Sequence, residues 1–330
     1  NLSVTLPTNT TPTPTPSITS GDIFRSEGRV GSDGSDTGIF NAGKIRVMAD
    51  FAKAAYSLQS WELASTGGQR INDISSNADA ALAQIISQGW APLDLSPTLN
   101  ATSTVVDQTV TNSMSGGYFT NGNAAAYVAR SGDAVVISFR GTNDNGDSNT
   151  NDSGNAIHPD KDHWETMYAH YSLLNPLIAV FDSYVANPSN GIMKVYVTGH
   201  SLGAAMAIEY MSLHIGSQYD AVVFAAPPFT GSTAIGGIPN RTEYRQDSRI
   251  VQIEIAGDPV PMAHEVGPQQ ARPGHAIKFS GNETMDTPDL NVVPVLPDYY
   301  ARLENHSMDY YRQIADNIDD TNWMRILNES

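Results

Sequence analysis

Apolar positions along this chain follow two periods that take turns. Short alternating or continuously apolar runs, rich in β-branched residues, predict strands at 118–121, 124–130, 134–139, 195–198, 220–226, 250–255 and 276–280. Elsewhere apolar residues recur every three or four positions, the spacing that turns one side of a helix toward a core. That pattern predicts helices at 44–60, 79–88, 164–185, 202–214 and 307–318. In the first of them Val47, Phe51, Ala54 and Ala55 share a face. The order of strands and helices predicts an α/β fold around a mainly parallel central sheet flanked by helices.

Three stretches stand outside the pattern. Residues 1–20 carry Thr-Pro repeats, which favour extended polyproline II and build no core, so they read as a linker or tail. Residues 21–41 are a Gly- and Asp-rich loop, and 143–162 are a polar insertion with little apolar beyond Ala156, Ile157 and Pro159. The expected organisation is a tail, 1–20, followed by one α/β domain, 21–330.

The strand beginning at Val195 runs into Gly199-His200-Ser201-Leu202-Gly203 and then into an Ala- and Met-rich helix. A strand turning sharply into a helix around G-x-S-x-G lifts the serine hydroxyl out at the carboxyl end of a sheet. The glycines fit a turn with little room for side chains, and Ala204 and Ala205 allow close helix packing. The first helical N–H groups then lie near the hydroxyl, where they stabilise negative charge. Ser201 is therefore the candidate nucleophile. A purely structural Gly-Ser turn is the competing reading, and the strand and helix on either side count against it.

Two further strand ends fall on the same rim of such a sheet. Val136-Ile137-Ser138-Phe139-Arg140-Gly141 leads to Thr142, whose N–H and that of Leu202 fit the two donors acyl transfer needs at an oxyanion. Ile253-Glu254-Ile255-Ala256-Gly257 leads to Asp258, where Pro259 stops the strand and a carboxylate can orient a histidine. Each motif alone reads equally as an ordinary turn. Three histidines follow: His264, His275 and His306. His264 is only six residues past Asp258, and His275 opens a predicted strand. His306 lies where a loop enters the last predicted helix, free to swing over Ser201, and is the favoured base. His200, inside the elbow, is expected to point away from the hydroxyl.

Phe139-Arg140-Gly141-Thr142, Val197 through Ala205, Gly257-Asp258-Pro259-Val260-Pro261 and His306-x-x-x-Tyr310 together resemble the class 3 lipases. Met48 through Tyr56 looks like their amino-terminal helix, so the resemblance runs over residues 43–315. Gly89-Trp90-Ala91-Pro92-Leu93 is similar to the catalytic half of bacterial secreted lipases, although their glycine-rich calcium repeats do not occur in this sequence. The resemblance implies an α/β-hydrolase fold, serine esterase chemistry without a cofactor, and a mobile lid. It also implies a triad of Ser201, Asp258 and His306, with Thr142 and Leu202 as the oxyanion hole. Where fungal members place a short hydrophobic lid after the threonine, this chain has its polar insertion.

The expected function is a carboxylic ester hydrolase, a triacylglycerol lipase first, working at an oil–water interface. A phospholipase A1 or a feruloyl-type esterase is the alternative, and a hydrolase-fold binding module without catalysis a remote one. Trp164, Met167, Tyr168 and Tyr171, or Val292, Val293, Val295 and Leu296, are candidates to line an acyl slot or form a lid. An ordinary core-facing helix competes for the first group.

Charge narrows the partners. With 35 Asp and Glu against 18 Lys and Arg, the net charge is −17, which disfavours nucleic acid and anionic membrane surfaces. The same charge keeps a protein soluble and repels released carboxylates. Cysteine is absent, which removes disulfides, thiolate nucleophiles and thiolate metal sites and fits a bacterial secreted enzyme. No apolar run reaches the length of a membrane span. Within the insertion, Asp144, Asp147, Asp152, Asp160 and Asp162 stand among five Asn, a composition suited to structural calcium. Residues 149–160 loosely echo an EF-hand loop with Gly154 in the sixth place, but open with Asn and close with Asp. A solvated acidic loop is the competing reading.

Overall fold

A computed structural model describes residues 42–56, 78–102, 113–121, 124–141, 163–227, 229–230, 247, 249–255, 258–262, 270–271, 275–279 and 306–317. The tail, Thr142, the acidic insertion, His264 and the apolar stretch 292–296 lie outside the described residues.

The helices are α1 (Ala42–Ala54), α2 (Ala78–Ser87), α3 (Ser96–Thr102), α4 (His163–Leu173), α5 (Asn175–Ala186), α6 (Leu202–Leu213), α7 (Pro259–Met262) and α8 (Met308–Asn317). The strands are β1 (Ala91–Pro92), β2 (Ser113–Ser115), β3 (Tyr118–Asn121), β4 (Ala124–Ser131), β5 (Ala134–Phe139), β6 (Lys194–His200), β7 (Tyr219–Phe224), β8 (Phe229–Thr230), β9 (Ile250–Ile255), β10 (Gln270–Ala271) and β11 (His275–Phe279). Most of the strands join one sheet in the order β11-β9-β7-β6-β5-β4-β3-β2, with β1 paired to β4. From β5 to β11 the pairings are parallel; β2, β3, β4 and β1 add an antiparallel edge. The β4–β5 reversal turns on Gly132 at φ 59°, a backbone conformation glycine adopts without steric cost.

Side chains alternate across this sheet and so build two cores. Val135, Ile137 and Phe139 of β5 join Leu177, Phe181, Met206 and Tyr210 on the side of α5 and α6. Ala134 and Val136 join Phe51, Met308 and Tyr311 on the side of α1 and α8. The result is a helix–sheet–helix sandwich with a mostly parallel centre, the α/β-hydrolase arrangement.

Two predicted elements change on inspection. The predicted helix at 164–185 is two, because α5 restarts at Asn175 with Pro176 in its first turn, where a missing N–H is harmless. The strand predicted to 226 stops at Phe224, and Ala225 takes φ 52°, which no strand accommodates. The short α3 and the edge strands β1 and β2 carry too few periodic positions to be read from sequence.

Candidate active site

Ser201 lies between β6 and α6 with φ 57° and ψ −125°, a conformation costly for a residue with a side chain. The neighbours hold it there. Its N–H donates to the Phe224 carbonyl at 3.0 Å, and its carbonyl accepts from the Ala204 N–H at 2.9 Å. A Cβ on Gly199 would stand 2.3 Å from the Gly203 carbonyl oxygen, and one on Gly203 would stand 2.2 Å from that of Phe139. Glycine is therefore required at both positions by space, and its absence of a side chain lets α6 start directly against the end of β5.

His306 sits just ahead of α8. Its Nε2 is 2.8 Å from Ser201 Oγ, and its Nδ1 is 2.9 and 3.1 Å from the two carboxylate oxygens of Asp258. Asp258, fully buried at the end of β9, also accepts the Val260 N–H at 2.9 Å and the Tyr311 hydroxyl at 2.6 Å. Burial and the nearby Asp258 and Glu254 carboxylates raise the Tyr311 pKa well above the ordinary tyrosine value, so the hydroxyl stays a donor. These donors give the buried carboxylate the hydrogen-bond partners that burial demands.

His200 turns away from Ser201 Oγ, as its place in the elbow predicts. Its Nδ1 lies 3.1 Å from Tyr56 Oη, and its ring packs 4.7 Å from that of His306. Burial, reinforced by the charge of His306, lowers the His200 pKa well below the ordinary histidine value, so this second imidazole is neutral. The end of β5 closes on the same spot: a Cβ on Gly141 would stand 2.3 Å from Tyr56 Oη and 2.4 Å from the His200 carbonyl oxygen. Gly141 and the first residue of α6, buried Leu202, thus belong to adjoining strand ends.

The profile of the family described as Lipase (class 3) matches residues 136–266, from β5 through Ser201 to beyond Asp258. The chain is a serine ester hydrolase, and enzymes of this class need no cofactor for their chemistry. Similar solved structures include a fungal lipase at 16% identity and TM-score 0.45, over 74% of this chain and 81% of that one. A mutant form of MDLA from Penicillium cyclopium aligns at 15% identity and TM-score 0.46, over 79% and 94%. The extracellular lipase LipA from Serratia marcescens aligns at 16% and 0.38, over 66% of this chain and 40% of LipA. At such likeness none of the three says what this chain acts on. No curated protein sequence matches it.

The remaining candidates divide. In α4, Met167 and Tyr171 are buried in the core, and Tyr168 is half-buried with its hydroxyl 3.4 Å from Glu209. For these residues the core-facing reading holds. The side chain of Trp164 and residues 292–296 lie outside the description, as do Thr142 and His264, while His275 opens β11. Asp144, Asp147, Asp152, Asp160 and Asp162 also lie outside it; among the described residues no group of three or more His, Asp or Glu gathers as a metal site. Tyr311 and Tyr56 are the site residues that sequence reading missed. The signal for Tyr311 was available: Met308, Tyr311 and Ala315 form the buried stripe of α8.

Proposed function

We propose that this chain hydrolyses carboxylic esters of lipids, triacylglycerols foremost, through an acyl-enzyme on Ser201 with His306 as base and Asp258 as its orienting acid. The observation that carries this reading is His306 bridging Ser201 Oγ at 2.8 Å and Asp258 at 2.9 Å. With Nδ1–H donated to the carboxylate, Nε2 offers its lone pair to the serine proton. As Oγ attacks the ester carbonyl, the proton passes to Nε2 and the resulting imidazolium is stabilised by Asp258. The developing oxyanion is taken by the N–H groups of Leu202 and Thr142, aided by the positive end of α6. His306 then protonates the leaving alcohol, and water repeats the cycle on the acyl-enzyme.

The chain's acidity supports neutral ester substrates over anionic surfaces, and a place of action outside the cell fits its lack of thiols and its Thr-Pro tail. The catalytic unit is 21–330, with 1–20 dispensable for turnover. Rates on emulsified triglyceride, phosphatidylcholine and soluble esters of increasing acyl length test the substrate. Preference for the medium- and long-chain esters is expected, and a steep fall in kcat/KM from two-carbon to eight-carbon acyl groups would overturn the lipase reading. Faster turnover of phosphatidylcholine would move it to a phospholipase.

A further inference from the structure

The nucleophile ends β6 while the base precedes α8, and the two pieces of chain are both fastened to α1. Toward the sheet, Thr198 Oγ1 donates to the Met48 carbonyl at 3.3 Å and Ser138 Oγ to that of Phe51 at 2.9 Å. The Tyr118 hydroxyl donates to the Ala54 carbonyl, and Tyr56 Oη meets His200 beside the nucleophile. Toward α8, Lys53 Nζ donates to Asp309 Oδ2 at 2.9 Å, Arg312 Nε to Asp50 Oδ1 at 2.9 Å, and Arg46 Nε to the Ala315 carbonyl at 3.0 Å. Positions fall along α1 as they rise along α8, so the helices run antiparallel and the Lys53–Asp309 rung is the one nearest His306.

That rung differs from the others. Its lysine side chain is fully buried, whereas Asp309 keeps 20% exposure. Lys53 occupies the last turn of α1 and Asp309 the first turn of α8, so each charge faces the helix end that favours it. A fully buried ammonium at 2.9 Å from its carboxylate tolerates little displacement of either helix end, because lengthening a buried ion pair is costly.

We propose that Lys53 is a positioning residue for the reaction. Through Asp309 it sets the height and rotation of the start of α8, and with them the reach of His306 Nε2 to Ser201 Oγ. The proposal rests on the triad reading above. The outer rungs, farther from His306, hold α8 to the body and act on stability.

Steady-state hydrolysis of a soluble p-nitrophenyl ester separates these roles. Lys53→Met, which keeps length and removes charge, is expected to fold and to lower kcat about tenfold or more with KM changed by less than about twofold. Lys53→Arg restores most of that loss, while Arg46→Met, at the rung that does not touch Asp309, lowers Tm and leaves kcat within about twofold of wild type. A folded Lys53→Met with wild-type kcat overturns the proposal, as does a kcat loss matched by Arg46→Met. Should Lys53→Met not fold, the double variant Lys53→Met/Asp309→Asn, which removes both charges of the rung and leaves neither unpaired, is held to the same outcomes. Ser201→Ala runs alongside: turnover surviving in that variant overturns the triad reading itself, whereas its loss together with normal kcat in folded Lys53→Met overturns only the positioning role.

Discussion

Tyr311 donates its hydroxyl proton to Asp258 Oδ2 across 2.6 Å, and the Tyr311 hydroxyl oxygen accepts the Ile255 N–H at 3.2 Å. One side chain of α8 thereby ties the helix behind His306 to the strand end that presents the acid. Tyr311→Phe removes that donor from a buried carboxylate. We expect a stability loss of about 1–3 kcal/mol in denaturant titration and a kcat reduction of about tenfold with KM little changed. A Phe variant with wild-type kcat would reduce Tyr311 to a packing role.

Removing a member of the proposed triad should be far more severe. Ser201→Ala and His306→Ala are expected to lower kcat by roughly four orders of magnitude or more, without additivity in the double variant. Asp258→Asn belongs with them, because the amide orients the ring wrongly. If His264→Ala inactivates the enzyme and His306→Ala does not, the base has been misassigned.

The elbow permits no methyl group at its base. In Gly203→Ala the new Cβ would press on the Phe139 carbonyl oxygen at 2.2 Å, with backbone rather than a flexible side chain as its neighbour. The start of α6 must shift away from β5, which moves the Leu202 N–H from the place proposed for the oxyanion. We expect a stability loss of about 1–3 kcal/mol and a fall in kcat of about a hundredfold. Unfolding curves and single-turnover rates measure the two losses separately.

At the far end of α6, His214 donates from Nδ1 to the Tyr210 carbonyl at 2.7 Å while Nε2 lies 3.1 Å from Asp182. Burial alone would lower its pKa, but Asp182 and the Tyr210 carbonyl outweigh burial and raise it above the ordinary value of 6.5. A raised folded pKa contributes stability that is complete below the unfolded value and is lost as pH rises through the folded one. Melting wild type and His214→Gln across mildly acidic to alkaline pH should therefore show a difference in Tm that narrows upward. A difference independent of pH would mean that the imidazolium contributes nothing.

Where function depends on local geometry, it could be read directly from the chain. The elbow is one such case, since Gly199, Ser201 and Gly203 are spaced by the backbone path of a single strand–turn–helix, and steric exclusion at each glycine follows from that path. The parallel sheet is another, because two-residue and four-residue periods report which faces are buried wherever segments are long enough. Helix 164–185 failed on one residue: Pro176 can open a helix as well as end one, and only packing chose.

The partners of Ser201 were not determined locally. Three histidines follow Asp258, and nothing in their neighbourhoods measures a distance to a serine more than sixty residues away. Its place at a loop–helix junction favoured His306, but the approach of its ring to Ser201 depends on the stacking of α8 on α1, where Lys53, Asp50 and Arg46 meet residues more than 250 positions later in the chain. Likewise Tyr311 was an ordinary buried aromatic until β9 and α8 came together. Spacing along a chain encodes contacts within one element; contacts between elements depend on how whole faces are buried, and in this protein that burial brings Asp258 and His306 to Ser201.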